Sequence, residues 1–525
     1  MKGKVTDKVE ISPELCRVIL DFNCSSQLEV RQLAAPVMYI ALIRNWEEMR
    51  TNFGKVKVHN TVALSRLQIV DDAHLRKSLA TIKAYAKSDT NRANHFKSKV
   101  GDFVDALFCI LRDSVKIQAH RDDPEMLQDM TFRIANGYRN APDLRLATLE
   151  NLAQQHMTAL NHSEAAFCYI HCAALVSDYL AQINHTHGGP RNSLSFKSCS
   201  PNVVEEGAMA VEVSPEEEGI CQSHHFSESG ILALMETSLP LFTKAQLHET
   251  LNEVYKLILP IYEQRRAYEK LSSAHTLLAS AFEEIYRSQK TSRRILATYF
   301  RVGFYGSQFE ILDGKEFIYK ERTITQLSEI CGRLTTIYRT RYGAQFELLQ
   351  DSNKIDPKTL DPNKAYCQVT FVEPYWTPAD LQSRVTYFER WNNISQFVFN
   401  TPFSPGGKAH SGVASQWTRQ TILTVEKSFP YLKKRLQVVQ REEIELDPLE
   451  VSTRAIVDRC TKLRNTIEAD PVDIKQLQML LQGSVRLQVN AGPLEIANVF
   501  LKTEVGKYDQ KRISALKDAF IQFFE

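Results

Sequence analysis

The hydrophobic pattern changes period twice along this 525-residue chain, and those two changes limit the fold more than any other feature. Up to about residue 290 apolar side chains recur at three- and four-residue intervals. Examples are Leu75, Leu79, Ile82 and Tyr85, then Phe103, Leu107, Ile110 and Leu111, then Leu247, Leu251, Val254, Leu257, Ile258 and Ile261. That spacing lines one face of a helix. From Ile295 the runs Tyr299 to Tyr305, Glu316 to Tyr319, Tyr366 to Val372, Ile394 to Phe399, Thr418 to Val425 and Leu436 to Ile444 are rich in β-branched and aromatic residues. Turn formers such as Asp313-Gly314 and Pro405-Gly406-Gly407 punctuate them, which predicts strands. At Asp447-Pro448 the helical period returns, with Leu449, Ile456, Cys460, Leu463 and Ile467 on one face. The predicted fold class is mainly α with a β-rich middle lobe: a helical-repeat-like first lobe, an antiparallel β lobe, and a helical-bundle last lobe containing an interrupted helix.

Within the first part, helices are predicted at roughly 12–43, 60–88 and 91–119. A new region opens at Asp123-Pro124, where Asp is a good N-cap and Pro suits the first helical turn. Ala165, Ala166, Cys172, Ala173 and Ala174 offer small side chains for close helix packing. Residues 183–226 lose all periodicity and gather Glu205, Glu206 and Glu216 to Glu218, so a long surface loop, partly mobile, is predicted there. Helices follow at about 227–240, 243–264 and 266–289, and one more at about 325–342 interrupts the β region. The expected domains are 1–123, an upstream solenoid-like helical region; 124–290, helical; 291–446, β-rich; and 447–525, a helical bundle.

The charge balance, 64 Lys and Arg against 62 Asp and Glu, leaves a formal charge of +2 and gives no electrostatic argument for nucleic acid as a partner. No apolar run approaches the ~20 residues of a membrane-spanning helix. Ten cysteines at irregular spacing, without paired CxxC elements or a secretory signal, predict free thiols in a reducing cytosol. No phosphate-loop, HExxH or GxSxG element occurs. Cys168, His171 and Cys172 share one predicted helix and are a candidate zinc site; core packing is the favoured reading, because a closed zinc site needs four ligands.

The predicted interrupted helix lies at Gln476 to Leu501. Leu477, Leu480 and Leu481 form one apolar face, and Ile496, Val499 and Phe500 another. Gly483 and the Gly492-Pro493 step are natural end and start signals between them. Val485, Leu487 and Val489 fall in a connection too short to bury all three, so one is expected to face a partner.

This stretch, with Val489-Asn490-Ala491-Gly492-Pro493 in a broken helix, resembles the nucleotide-sensor loop of the DOCKER domain of the dedicator-of-cytokinesis family. The segments 133–156 (RIANGYRNAPDLRLATLENLAQQH), 213–221 (VSPEEEGIC), 298–309 (TYFRVGFYGSQF), 313–321 (DGKEFIYKE), 360–376 (LDPNKAYCQVTFVEPYW) and 421–435 (TILTVEKSFPYLKKR) are similar to family segments in family order. The similarity covers about residues 126 to 525 and is nearest in wording to the C subgroup. It implies a guanine-nucleotide exchange factor for Rho-family GTPases of the Rac and Cdc class. In that role Val489 is the sensor, and Gln488, Asn490, Ala491 and Gly492 shape its loop. It further implies homodimerisation through the first DOCKER lobe, GTPase contact through the β lobe, and a final bundle helix that this sequence does not reach. Candidate GTPase contacts are Tyr375, Trp376, Phe403, Lys408 and His410. No cofactor, no metal of its own, no nucleic acid and no direct membrane segment are expected. The expected location is the cytoplasm, with plasma-membrane recruitment left to parts of a parent chain outside this sequence. Two other readings stand beside this one: a helical scaffold that binds a small GTPase without catalysis, and a zinc-dependent enzyme built on Cys168, His171 and Cys172.

Overall fold

The computed structural model describes residues 13–49, 54–66, 73–139, 141–186, 194–207, 224–291, 294, 296–322, 324–349, 352–404, 412–468, 472–485, 492–503 and 508–524. The chain forms two compact units, Met1–Leu271 with Pro430–Lys434, and Ser272–Phe429 with Arg435–Glu525.

The first unit is helical: α1 (Pro13–Asn23), α2 (Leu28–Met49), α3 (Gly54–Arg66), α4 (Ala73–Ser88), α5 (Asn94–Ala119), α6 (Pro124–Gly137), α7 (Pro142–Thr158), α8 (His162–Thr186), α9 (Glu228–Lys244), α10 (His248–Gln264) and the start of α11 (Tyr268–Thr291). The regular apolar spacing becomes the core, with Leu75, Leu79, Ile82, Phe103, Leu107, Ile110 and Leu111 buried in one cluster. Asp123 caps α6 by accepting the Met126 N–H at 2.9 Å, ahead of Pro124. Buried Ala165, Ala166 and Ala173 let α8 lie close to α7 and α9. The single helix expected over 12–43 is two, α1 and α2, broken at Cys24 to Gln27.

The surface loop expected over 183–226 is contradicted at 194–207. Phe196, Cys199 and Val203 are buried there, a 3₁₀ turn spans Pro201–Glu205, and Glu206 is 0% exposed. The cause is Arg145 of α7, whose Nε and Nη2 donate to the two oxygens of Glu206 at 2.7 Å each. A buried carboxylate needs such a partner.

In the second unit β1 (Thr298–Tyr305), β2 (Glu316–Glu321), β4 (Ala365–Pro374), β5 (Ile394–Phe403), β6 (Trp417–Phe429) and β7 (Arg435–Leu446) pair antiparallel in the ring β1-β2-β7-β6-β5-β4-β1. The short β3 (Phe346–Leu349) adds to β4 in parallel. Closure gives each ring strand a neighbour on both sides. One face of β1 and β5 points into the ring. Tyr299 meets Phe397 and Phe429 there, and Arg301 meets Glu316 and, at 2.8 Å, Gln368. The other face of β1 carries Phe304, which packs with Phe309 and with Tyr338 of α12 (Leu327–Tyr342). Two short helices, α13 (Pro378–Ser383) and α14 (Tyr387–Arg390), lie between β4 and β5.

The chain then forms α15 (Pro448–Ile467), α16 (Ile474–Val485), α17 (Pro493–Asn498) with a π-helical turn Val499–Thr503, and α18 (Gln510–Phe524). Leu449, Ile456, Cys460, Ile496, Phe500, Ile513, Leu516 and Phe520 make one core, joined by Val413 from the β5–β6 connection. The predicted α15 stripe is buried only over its first turns, since Ile467 is exposed. The fold class is thus as expected: mainly helical, with a β-rich middle region and a terminal bundle.

Candidate functional site

Gly492 sits just before α17 in extended geometry (φ −72°, ψ 164°), followed by Pro493 at the first helical position, and its carbonyl accepts the Ile496 N–H at 3.1 Å. Buried Ile496 and Phe500 fasten this start to the bundle. On the other side α16 is held to α15 where Arg459 donates to the Gly483 carbonyl at 3.3 Å. No described side chain of α16 is buried, and Ile474, Met479 and Leu481 are among its exposed apolar residues. Gln488, Val489, Asn490 and Ala491 lie outside the described residues.

The candidate contacts of the β region fall into two groups. Tyr375 and Trp376 follow β4, whose Pro374 is opposite Phe397 of β5. Phe403 lies six residues further along β5, about 20 Å away at strand rise. The Tyr375 N–H donates to the Gln396 carbonyl at 2.9 Å. The Trp376 indole N–H donates to the Arg390 carbonyl at 3.0 Å, and the Arg384 guanidinium covers its ring at 3.5 Å. Capping boxes at Thr377 with Asp380 and at Thr386 with Glu389 stiffen this segment.

Phe403 lies at the opposite end of β5, across from Trp417 of β6, with ring centroids 6.3 Å apart. Arg419 stacks over the Phe403 ring at 4.9 Å and donates to Glu445 of β7 at 2.9 Å. Glu443 beside it is held below the usual carboxylate range: burial pushes it up, and Arg441, Lys354 and Arg419 outweigh that. Lys408 and His410 lie outside the described residues. Val413, which follows them, is buried against the bundle core. Phe403, Trp417 and Arg419 therefore sit at the end of the strand ring from which β6 is reached after Val413. Trp417 and Arg419 escape a reading of single strands; laying β5 against β6 across Pro405-Gly406-Gly407 was the signal that could have found them.

Cys168 and Cys172 are fully buried, and burial, more than the nearby carboxylates, pushes both thiols well above their ordinary range. A neutral thiol is a poor zinc ligand. His171 instead meets Glu206 through Nδ1 at 2.9 Å, with Glu205 at 3.4 Å. Those three could group round a metal. However, both oxygens of Glu206 are taken by Arg145, and Tyr431 donates its hydroxyl to Glu205 at 2.7 Å. The arrangement is a buried ion-pair network. Among the described residues no helix is long and apolar enough to cross a membrane.

Comparison with known proteins gives matches in chain order to DHR-2 Lobe A over residues 129–287, DHR-2 Lobe B over 352–428 and DHR-2 Lobe C over 462–525. The chain is 44% identical over 503 residues to dedicator of cytokinesis protein 6 of Mus musculus, a match covering 94% of this chain and 24% of that protein. It is 43% identical over 503 residues to dedicator of cytokinesis protein 7 of Homo sapiens (94% and 23%) and 42% identical over 502 residues to dedicator of cytokinesis protein 8 of Homo sapiens (94% and 24%). The chain spans about a quarter of the length of these relatives.

Proposed function

Since the chain belongs to the dedicator-of-cytokinesis family and carries the three lobes of its DHR-2 region, we propose that it is a guanine-nucleotide exchange factor that releases GDP from Rho-family GTPases of the Rac and Cdc class. The observation that carries this reading is the match to all three lobes in order, with 44% identity to a relative over 94% of the chain. On this reading the lobes are 124–290, 291–446 and 447–525, with 1–123 as an upstream helical region.

The mechanism needs no bond chemistry in this chain. A GTPase holds its nucleotide through phosphate contacts and a Mg²⁺ ion that offsets phosphate charge. Val489, pressed into the metal's place, supplies hydrocarbon where a cation is needed, so ion and nucleotide are both weakened. Gln488, Asn490, Ala491 and Gly492 shape the loop, and the fastened start of α17 keeps it from recoiling. Phe403, Lys408 and His410, together with Tyr375 and Trp376, grip the partner. Self-association through the first DHR-2 lobe belongs to the same proposal; exposed Leu277, Phe282 and Tyr286 of α11 offer an apolar face for it. The proposed location is the cytoplasm, with recruitment to the plasma membrane.

Replacing Val489 with alanine tests the reading. GDP release from a panel of Rho-family GTPases is expected to fall at least tenfold relative to the unmodified chain, with GTPase binding retained. Unchanged release, or an unmodified chain that binds without accelerating release, would favour the non-catalytic scaffold.

A further inference from the structure

We propose that the turn between β6 and β7 is a plug seated in the first unit, and that loosening its seat loosens the β6–β7 ladder. The inference goes beyond the exchange-factor reading and does not depend on it. The first unit includes Pro430–Lys434, five residues that directly follow β6 and directly precede β7. The tip of a hairpin ordinarily lies in water. Here Pro430, Tyr431, Leu432 and Lys433 are all buried.

The seat supplies the partners that burial takes away. The Tyr431 hydroxyl donates to the Glu205 carboxylate at 2.7 Å, and its ring meets Phe132 of α6 and His171 of α8 edge to face at 5.7 and 6.0 Å. Burial first, then Glu205, pushes that phenol well above its ordinary range, so it keeps its proton and stays a donor. The Leu432 carbonyl oxygen lies 2.8 Å from Nε2 of buried His156 on α7. A carbonyl only accepts, so the imidazole donates there. Lys433 and Lys434 face carboxylates one turn apart on α6. The Lys433 ammonium is 3.8 Å from Asp129 and 5.3 Å from the centre of the Phe132 ring, and that of Lys434 is 3.4 Å from Glu125. A cation taken out of water needs such a partner. Three helices and the 194–207 segment thus converge on five residues.

On either side of the plug the chain runs straight into strand pairing. Phe429, just before Pro430, is opposite Ile394 of β5. Arg435, just after Lys434, is opposite Tyr319 of β2, followed by Leu436 opposite Ile318. Ladders open locally from their ends, so a fixed turn makes opening of β6 and β7 more costly at once. Tyr431 and His156 are positioning residues in this device, acting through the ladder.

Amide hydrogen exchange followed by mass spectrometry tests the coupling in the 525-residue chain and in Tyr431→Phe, Glu205→Gln, the two combined, and Lys433→Met/Lys434→Met, with thermal unfolding of each as a check on folding. Tyr431→Phe keeps the ring and loses a hydrogen bond to a charged group. Exchange of peptides within β6 and β7 is expected to speed up roughly ten- to hundredfold, with β4 peptides within about twofold of the unmodified chain. Glu205→Gln alters no strand residue, yet is expected to speed the same β6 and β7 peptides by a smaller factor and to add little to Tyr431→Phe. Lys433→Met/Lys434→Met, which strips the α6 carboxylates of their counter-charges, is expected to act in the same direction. Faster exchange confined to α6, α7, α8 and 194–207, with β6 and β7 unchanged, would overturn the coupling. So would a uniform rise over all peptides, the mark of general destabilisation. Either result leaves the exchange-factor reading standing, because that reading is decided by GDP release.

Discussion

Glu206→Gln removes one charge from a pair sealed inside the first unit, and its cost follows from the geometry. Arg145 and Glu206 side chains are both 0% exposed and joined by two bonds of 2.7 Å, while Arg145 Nη1 also donates to the Ala135 carbonyl at 2.9 Å. Burial alone pushes the Glu206 carboxyl up; the Arg145 guanidinium and the His171 hydrogen bond outweigh it and bring it from 4.5 to about 2. At 1.36 kcal/mol per decade, that difference is worth about 3 kcal/mol at neutral pH. Stripping one partner from a buried pair independently predicts about 3–5 kcal/mol, because the guanidinium stays behind without a counter-charge. Because the folded carboxyl is the stronger acid, its contribution is complete above pH 4.5 and disappears as pH falls towards 2. Urea unfolding followed by circular dichroism should therefore place Glu206→Gln about 3 kcal/mol below the unmodified chain at pH 7, with the gap narrowing as pH falls below 4.5. Arg145→Met/Glu206→Leu, which removes both charges, should recover much of the loss. A gap under about 1 kcal/mol at pH 7, or one that does not depend on pH between 5 and 3, would refute the reasoning.

At Gly306 the backbone has φ +117°, and a Cβ would meet the Lys364 carbonyl oxygen at 2.4 Å; Gly306→Ala should cost about 2 kcal/mol or more in thermal or urea unfolding. Asp447 caps α15 through the Glu450 N–H at 3.0 Å and pairs with Arg512 at 2.6 Å, so Asp447→Ala should lower stability by about 1–2 kcal/mol, read as a lower midpoint in denaturant. In the folded chain, maleimide at pH 8 should label partly exposed Cys109 long before buried Cys168 and Cys172, and metal analysis should find no stoichiometric zinc. Rapid labelling of the buried pair would revive the metal reading.

Most of the architecture was legible because it rests on local patterns. Six of the seven strands among the described residues announce themselves through β-branched and aromatic runs, and the helical cores follow from three- and four-residue spacing. The missed strand, Phe346–Leu349, has four residues and is held by pairing with β4, a contact that local pattern does not encode. The 194–207 segment was misread for a similar reason: Glu206 looks like surface until Arg145, 61 residues earlier, is placed against it. At the candidate site, Gly492 and Pro493 fall where start signals predict. The grouping of the β-region contacts was illegible, since Tyr375 and Phe403 differ in position only once β4 is laid against β5.

The closed ring of strands also bears on how such a chain can change. With both edges of each ring strand already taken, the sheet is held together by its own ladder, and the turns at its rim are free to be lengthened, shortened or exchanged without unravelling it. The connection between β4 and β5, with its two short helices α13 and α14, is one such segment. A set of relatives could thus be retuned towards different partners by swapping a rim segment, with the scaffold inherited intact.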